Sequence, residues 1–469
     1  MFPRDLPLGY RHSTSLRIAI AWILLTSSVT VAFTAEYFVA VDGSDQASGT
    51  REQPWANVTY AFTRVAPGDT VLLRGGIYRQ QVLLDGKNGT KSGTLGNPII
   101  LRSAPGEQAS LYLSRPFNRP DDWHPVGRGL WATAPGSVTG YDVGCVWHDD
   151  LPSEKKWTRA DVKADWDFWF DPVNKQVVVS APANPATLAR QIEIPVGQWM
   201  QHIVQLRDVS HLLIENLTIK YSNTHGIQMN LVHQVIVRNC RISHVGGAWI
   251  WEDHTRYGNG VELWCDGRDI VVEDCDISWA FDTGITNQGD TGNQSGIVFR
   301  NNRIAHTKCG LEHWATGPAN VRDVLYEGNT ITDSGDNWAR NLQNVWGAIR
   351  LMRHHPNSVG ADKPTTGTVE NFIVRGNTII RCGSLAGAQQ GDPRPFKEHP
   401  SIRLIGGNFR VERNVIRDGR SAGIFASHGF TGTIRDNSIT NCAGPGLLLE
   451  DAAAEALIEG NRIEPAKSL

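Results

Sequence analysis

Hydrophobic and polar residues alternate along short segments that recur through the second half of the chain. Each segment begins with an alternating run, continues through an Asn or another small turn residue, and ends with a second short run. This pattern predicts short β-strands bounded by turns. Neighbouring segments commonly begin 23–27 residues apart, with longer gaps where loops intervene. A recurring period of that size predicts a solenoid of stacked coils. The segments are "LLIENLTI", "VIVRNCRI", "IVVEDCDI", "IVFRNNRI", "VLYEGNTI", "FIVRGNTI", "FRVERNVI", "GTIRDNSI" and "ALIEGNRI".

One polar column appears when these segments are aligned. Stacked Asn side chains at a turn can bond to one another and to free backbone groups, so the column predicts an amide ladder inside the solenoid. Two Cys replace Asn on adjacent coils, either as buried thiols or as a stacked or disulfide-bonded pair. The column is Leu217, Cys240, Cys275, Asn302, Asn329, Asn377, Asn414, Asn437 and Asn461.

A second pattern follows each segment and consists of a small residue, an aliphatic residue and a residue that varies from coil to coil. Because side chains alternate along a strand, we expect the aliphatic residue to point inward and the variable one outward. The inward residues are Ile227, Val261, Ile285, Leu311, Ile349, Ile402 and Ile424. The outward row is Gln228, Glu262, Thr286, Glu312, Arg350, Arg403 and Phe425, and a second outward row is Asn230, Trp264, Gln288, Trp314, Met352, Ile405 and Ser427.

The first 35 residues have the layout of a secretory signal peptide. Three arginines precede the apolar run "IAIAWILLTSSVTVAF" at 18–33, and small residues end the segment. We therefore predict residues 1–35 to be a signal peptide and the mature protein to be secreted, periplasmic or extracellular. It would have no membrane association after cleavage. An uncleaved anchor is the alternative interpretation.

The segment "EYFVAVDGSDQASGTREQPWANVTYAFTRVAPGDTVLLRGGIYRQ" at 36–80 is similar to the entry segment of many secreted β-helix proteins. With the coil pattern, it resembles a right-handed parallel β-helix of the pectate-lyase-like superfamily. The resemblance implies an all-β solenoid with an N-terminal capping helix near "ANVTYAFTRV". Residues 36–110 would form the cap and first coils, and residues 201–469 would form the coils that carry the active face.

Residues 111–200 lack the repeat and are rich in Trp and Pro, which predicts a small β insertion covering one side of the stack. Its tryptophans either form the core of the insertion or roof a sugar cleft. They are Trp123, Trp131, Trp147, Trp157, Trp166 and Trp169.

Charge and cysteine usage narrow the function classes. The net charge is −3 with no block of like charge, which argues against a nucleic-acid partner. The seven Cys show no CxxC pair and no finger spacing, which argues against a zinc site. We expect no metal and no cofactor, with a structural or substrate-bridging calcium ion as an open alternative. We also expect a monomer.

Three carboxylates are the candidate catalytic residues: Glu262, Asp282 and Glu312. Rungs of a β-stack lie about 4.8 Å apart, so Glu262 and Glu312 should be separated by roughly 9.6 Å between Cα atoms. Inverting glycosidases hold their carboxyl pair about 6.5–9.5 Å apart, and retaining enzymes hold it about 5–5.5 Å apart. Asp282, in the turn before the middle rung, could supply the shorter distance. The plainer interpretation of Glu312 is a salt bridge to Arg350 on the neighbouring rung.

Polar and aromatic residues around these acids are the candidate substrate-binding residues. Long loops flank the same coils, and loops beside a rigid solenoid are where binding clefts form. His313 should point inward, as a core histidine. The substrate-binding candidates are Gln228, Trp264, Thr286, Gln288, Trp314, Arg350, His354 and Arg403.

The blocks "GNGVELW", "FDTGITNQG" and "CGLEHW" together resemble a set found in uncharacterised secreted bacterial β-helix proteins, which implies activity on carbohydrate. The expected partner is a polysaccharide or oligosaccharide. Paired acids favour a glycoside hydrolase. Arginines on the same face favour a polysaccharide lyase or uronate epimerase that uses Arg or His. A non-catalytic glycan-binding surface protein is the third hypothesis.

Overall fold

The computed structural model describes residues 34–250, 255–335, 338, 346–353, 367–384, 399–427, 429–450 and 456–466. The predicted signal peptide lies outside these residues except for its last two positions. Within the described chain, short strands stack coil upon coil into three long parallel sheets, so the predicted right-handed parallel β-helix is confirmed. No helix in the described part of the chain is long and apolar enough to cross a membrane.

Sheets 1 and 2 are joined on each coil by the tight turn that carries the polar column. Sheet 1 consists of Glu36–Val39, Thr70–Leu73, Ile99–Ser103, Ser210–Glu215, Val232–Arg238, Gly267–Glu273, Asn293–Arg300, Asn320–Glu327, Val369–Arg375, Phe409–Glu412, Thr433–Arg435 and Leu457–Glu459. Sheet 2 consists of Gly76–Tyr78, Ala109–Tyr112, Thr218–Ser222, Arg241–Val245, Asp276–Ala280, Arg303–Ala305, Thr330–Thr332, Thr378–Ile380, Val415–Arg417, Ser438–Thr440 and Arg462–Glu464.

Sheet 3 carries the two predicted outward rows and therefore the candidate site residues. The aliphatic residue predicted to point inward is fully buried on each coil from Ile227 to Ile424. These residues join the inward residues of the other two sheets in one core that runs the length of the stack. Sheet 3 consists of Val82–Asp85, Val204–Arg207, Ile227–Asn230, Val261–Trp264, Thr283–Gly289, Cys309–Ala315, Ile349–Arg353, Ile402–Ile405, Ile424–Ser427 and Leu447–Leu449.

The predicted asparagine ladder is present at the turn between sheets 1 and 2. The Asn302 amide nitrogen donates to Asn329 Oδ1 at 3.0 Å and to the Val272 carbonyl at 2.9 Å. The Asn302 backbone N–H donates to the same Oδ1 at 3.0 Å. The same pattern continues coil by coil to Asn461, so buried amide and backbone groups satisfy one another along the stack.

The residue before each ladder position adopts a left-handed backbone conformation. Asp274, Asn301, Gly328 and Asp436 have φ between 52° and 65°. Asn, Asp and Gly tolerate this region best, which explains why they dominate the position in the aligned segments. Turn chemistry therefore fixes the corner at which each coil changes sheet.

A row of alternating charges, here called the charge ladder, runs along the outer side of sheet 1. One residue per rung alternates between Arg and Glu, and neighbours form ion pairs such as Arg300–Glu273 at 2.6 Å and Arg375–Glu327 at 2.5 Å. The ladder is Arg102, Glu215, Arg238, Glu273, Arg300, Glu327, Arg375, Glu412, Arg435 and Glu459.

A short helix, Val58–Ala61, is capped by the Asn57 side chain and packs near the first coils. Further along the chain lies an insertion whose strands are antiparallel except for the parallel pair Glu154–Lys156 and Asp167–Asp171. The strands of the insertion are Ser114–Pro116, Trp123–Gly127, Leu130–Thr133, Trp147–His148, Leu151–Pro152, Glu154–Lys156, Asp167–Asp171, Gln176–Ser180 and Ile192–Pro195. The other short helices of the described chain are Gly86–Asn88, which precedes the insertion, and three within the insertion: Pro120–Asp122, Arg159–Asp161 and Pro185–Leu188.

The insertion has its own core and a separate contact with the solenoid. Trp123 belongs to the insertion core, as one of the two sequence interpretations had it. Trp147 instead packs with Tyr221 and Trp338 in a cluster between the insertion and the coils. The insertion therefore lies against the corner between sheets 2 and 3, where the strands of sheet 3 begin.

All seven cysteines are free thiols. Cys240 and Cys275 occupy the polar column, as aligned, and are buried without forming a disulfide. The interpretation as buried thiols is therefore the correct one.

Candidate active site

The predicted outward row, here called the site row, is in register along sheet 3. Gln228 pairs with Glu262, Glu262 with Thr286, Thr286 with Glu312, Glu312 with Arg350, and Arg350 with Arg403. The two glutamates are therefore separated by one intervening rung, about 9.6 Å between Cα atoms at the usual rung spacing. They are only 5% and 4% exposed, so these outer-face carboxyls are covered by surrounding groups.

Glu262 is held by three uncharged donors. Its Oε1 accepts from the Asn259 amide at 3.1 Å and from the Gln288 amide at 2.7 Å, and its Oε2 lies 3.2 Å from His225 Nε2. Burial, with a smaller contribution from the charge of Asp282, outweighs the lowering effect of the two amide hydrogen bonds and raises the pKa of Glu262 to about 7. The Glu262 carboxyl group is thus poised to gain or lose a proton near neutral pH.

Glu312 differs because a cation lies beside it. Arg350 Nη1 is 3.3 Å from Glu312 Oε1, and the Thr283 hydroxyl donates to Oε2 at 3.1 Å. Burial raises the pKa of Glu312 to about 6, opposed by Arg350 and reinforced by Asp282. The salt bridge considered from the sequence is therefore present, and it favours the ionised form of Glu312.

Asp282 lies in the turn before the middle rung, as expected, but its ion-pair partner is a lysine. Lys308 Nζ is 2.9 Å from Asp282 Oδ1. The Lys308 ammonium also lies 3.9 Å from the centre of the Trp346 ring, and the Arg350 guanidinium lies 3.5 Å from the same ring. The Trp346 ring therefore packs against both cations that pair with the site carboxylates, Lys308 and Arg350.

Thr286 occupies the rung between the two glutamates. Its side chain is fully buried, and its hydroxyl has no hydrogen-bond partner among the described residues. A buried hydroxyl without a partner costs free energy unless a water or ligand atom completes it. The centre of the site row thus holds a buried hydroxyl whose hydrogen-bonding capacity the described residues leave unfilled.

Trp264 and Trp314 form a shelf beside the carboxylates in the second outward row. Their rings are nearly parallel, at 19°, with centroids 6.3 Å apart, and both are partly exposed. Gln288 occupies the rung between them. Partly exposed parallel indoles offer flat faces to a ring-shaped ligand.

The remaining predicted site residues are placed as follows. Gln228 is buried on the N-terminal side of Glu262, and Arg403 follows Arg350 along the row. His354 lies outside the described residues. His313 points inward and is fully buried, with Nδ1 close to the Asn287 side chain and carbonyl at 3.1 Å, so the core interpretation is confirmed.

Several site residues were missed because they precede the strands. His225, Asn259 and Thr283 occupy the position three residues before the site row, and Lys308 and Trp346 lie one position further upstream on their coils. The signal was present in the sequence: "HGIQMN", "NGVELW" and "TGITNQ" all begin with a polar residue, but an alternation rule gives no direction for a residue at a corner.

One wall of the site comes from the residues next to the insertion. The Tyr257 ring lies edge-on to His225 at 5.3 Å, and the Tyr257 hydroxyl is 3.5 Å from Met200 Sδ. The Tyr141 hydroxyl donates to the Tyr257 hydroxyl at 3.3 Å. This aromatic wall excludes water from His225 and contributes to the burial that raises the pKa of Glu262.

Among the described residues, no group of three or more His, Cys, Asp and Glu is arranged to hold a metal ion. A carboxyl with a pKa near neutrality and a second carboxylate beside an arginine are the types of group that serve as proton donor and as base or nucleophile in acid–base catalysis.

Comparison with known proteins agrees with this architecture. The family model described as "right handed beta helix region" matches residues 196–348 and 355–463, more than half of the chain. Over 77 residues the chain is 38% identical to pectate lyase PEL9 of Emericella nidulans, a match covering 16% of this chain and 18% of that protein. The chain matches less than a fifth of the length of its curated relatives.

Two solved structures share the fold at low sequence identity. A glycoside hydrolase is 12% identical with a TM-score of 0.57, covering 91% of this chain and 96% of that one. The GH136 lacto-N-biosidase from Eubacterium ramulus is 15% identical with a TM-score of 0.51, covering 92% of this chain and 68% of that one. Both likenesses extend along nearly the whole of this chain.

Proposed function

The chain belongs to the right-handed β-helix family, and we propose that it is an exported carbohydrate-active enzyme, a glycoside hydrolase acting on a polysaccharide or oligosaccharide. One observation carries the proposal. Two buried glutamates lie two rungs apart on one face, with pKa values raised to about 7 and about 6, around a buried hydroxyl. The names of the two solved structures with the same fold support the same class of reaction.

Glu262 is the proposed general acid. Its neighbours within hydrogen-bond distance are all uncharged and its pKa is about 7, so about half of the molecules carry this proton at neutral pH and can deliver it to the glycosidic oxygen. After that transfer, the three donors around it stabilise the carboxylate. Glu312 is the proposed base or nucleophile, because Arg350 favours its ionised form.

Asp282 has a supporting role in this proposal. Its charge raises the pKa of both glutamates, while Lys308 keeps it paired. The sugar would stack on the shelf of Trp264 and Trp314. No resident cofactor takes part in the proposed reaction, and the signal-like segment at 1–35 supports export.

The test is to incubate the purified protein with a panel of plant and algal polysaccharides and to follow two signals. Hydrolysis produces new reducing ends without absorbance near 235 nm, a wavelength at which unsaturated uronates absorb. Glu312→Gln should abolish turnover and leave the thermal unfolding cooperative. Full activity in that variant would show that Glu312 has no part in the reaction.

A polysaccharide lyase is the second candidate, favoured by one observation. Arg350 and Lys308 both pack against Trp346 and are paired with Glu312 and Asp282. In a lyase these two cations would exchange those partners for a uronate carboxylate of the substrate. In that case reducing ends and absorbance near 235 nm would rise together. The same assay thus separates the two reactions.

A further inference from the structure

The hydrogen bonds around His225 fix its protonation. The Asn259 backbone N–H donates to His225 Nδ1 at 2.8 Å, so Nδ1 is an acceptor and carries no proton. The neutral ring must then carry its proton on Nε2, which faces Glu262 Oε2 at 3.2 Å. Burial lowers the pKa of His225 to about 3, so the neutral ring is strongly favoured at neutral pH.

We propose that His225 is a positioning residue for Glu262: an imidazole whose Nε2–H, set by the hydrogen bond from the Asn259 backbone, orients the Glu262 carboxyl group and stabilises its anionic form. This inference rests on the proposed function, since it assigns a role toward the proposed general acid. His225 belongs to the preceding coil, so the contact ties the orientation of Glu262 to the stacking of two rungs.

The surroundings of His225 leave Glu262 as its hydrogen-bonding partner on the Nε2 side. The His202 ring lies 4.6 Å away at 31°, is itself buried, and has a pKa lowered by burial. Tyr257 presents a ring edge, and the Asp282 charge acts on His225 from the next coil but one. His202 Nδ1 faces the Thr224 hydroxyl at 3.0 Å, and among the described residues His202 makes no hydrogen bond to Glu262.

The experiment measures the protonation of Glu262 directly, without a substrate. Glutamate labelled with ¹³C at the carboxyl carbon is incorporated, and the Glu262 signal is identified by its loss in Glu262→Gln. In His225→Ala the carboxylate loses one N–H donor, so its pKa should rise by about one unit, as expected for a hydrogen bond to a charged group. His225→Gln keeps an N–H donor and should restore much of the original value.

His202→Ala is the matched control, because it removes a buried imidazole at the same corner that does not contact Glu262. It should lower the melting temperature and leave the Glu262 titration unchanged. Equal titration curves in His225→Ala and the wild type would overturn the proposal and leave His225 as a packing residue.

Turnover adds a second measurement that separates the two proposals. Once a substrate is found, the alkaline limb of the pH–kcat profile should move upward with the titration in His225→Ala. If the titration shifts and no polysaccharide is cleaved by the wild type, the proposed function fails and the role of His225 toward Glu262 stands. A pH–kcat profile that does not follow the titration would overturn Glu262 as the general acid.

Discussion

Two rows of charged residues run along this solenoid, and they obey opposite rules. The charge ladder on sheet 1 alternates Arg and Glu on successive rungs, with ion pairs at 2.5–2.7 Å. The site row on sheet 3 has no such alternation: one glutamine is followed by two buried glutamates with a threonine between them, and then by two arginines. Both rows have the same spacing between rungs. They differ in whether each carboxylate has an oppositely charged side chain on the neighbouring rung.

The difference shows in the pKa values of the two sets of glutamates. In the charge ladder, hydrogen bonds and charge from Arg435 outweigh burial and lower the pKa of Glu412. In the site row, burial dominates and raises the pKa of Glu262 to about 7. A carboxylate that is fully compensated stabilises the fold, whereas one held by neutral donors is less stable in its charged form and is available for proton transfer.

The largest expected effect comes from making the same substitution in each row. Glu262→Gln removes the proposed acid and should reduce kcat by about 10²–10⁴-fold, the usual contribution of general acid–base catalysis. Glu273→Gln, its control in the charge ladder, removes an ion pair with Arg300 and should leave kcat within about twofold. Comparable losses in both variants would mean that the site row is no more catalytic than the charge ladder.

The residues that make up each row can be predicted from the sequence. Side chains alternate between the two faces of a strand, and the turn residues fix how one coil aligns with the next. The alternating charge ladder is equally readable from the sequence, as the fourth letter of each aligned segment. His225, Asn259 and Lys308 were not predictable in the same way, because they lie at corners and make diagonal contacts between coils. The burial of Glu262 also depends on groups from the insertion side, such as Tyr257, whose placement no repeat pattern encodes.

The second prediction concerns stability against pH. The pKa of Glu262 rises from 4.5 to about 7 on folding, so the folded state binds more protons between those values and stability falls as pH rises through that window. The penalty, on the order of 3 kcal/mol at most, is complete above about pH 7. Glu262→Gln should therefore be more stable than the wild type at pH 8, with the difference shrinking toward pH 5.

Melting temperatures measured across pH 3–8 check this prediction, with Glu412→Gln as the contrasting variant. The pKa of Glu412 is lowered on folding, so its contribution to stability is present above 4.5 and is lost as pH falls through the lower folded value. Glu412→Gln should therefore be less stable than the wild type near neutrality and should converge with it in acid. If the melting temperatures of the wild type, Glu262→Gln and Glu412→Gln changed with pH in parallel, the proposed electrostatic difference between the two rows would be wrong.

The smallest expected effect tests whether the charge ladder acts as a row or as separate pairs. Glu327→Arg places three arginines on successive rungs, about 4.8 Å apart, and should cost about 1 kcal/mol at low salt. If Glu327 and Arg375 were an isolated pair, exchanging them in Glu327→Arg/Arg375→Glu would restore stability. In an alternating row the exchange creates like neighbours at both ends, Arg300 with Arg at 327 and Glu412 with Glu at 375.

We therefore expect the exchanged variant to recover only part of the loss, and we expect the deficit to shrink when salt is raised, since exposed charges are screened. Urea unfolding of the wild type, the single variant and the exchanged variant at low and high salt gives the comparison. Complete recovery at low salt would show that each ion pair acts alone. In that case the strict alternation of the sequence would not be explained by repulsion between neighbouring pairs.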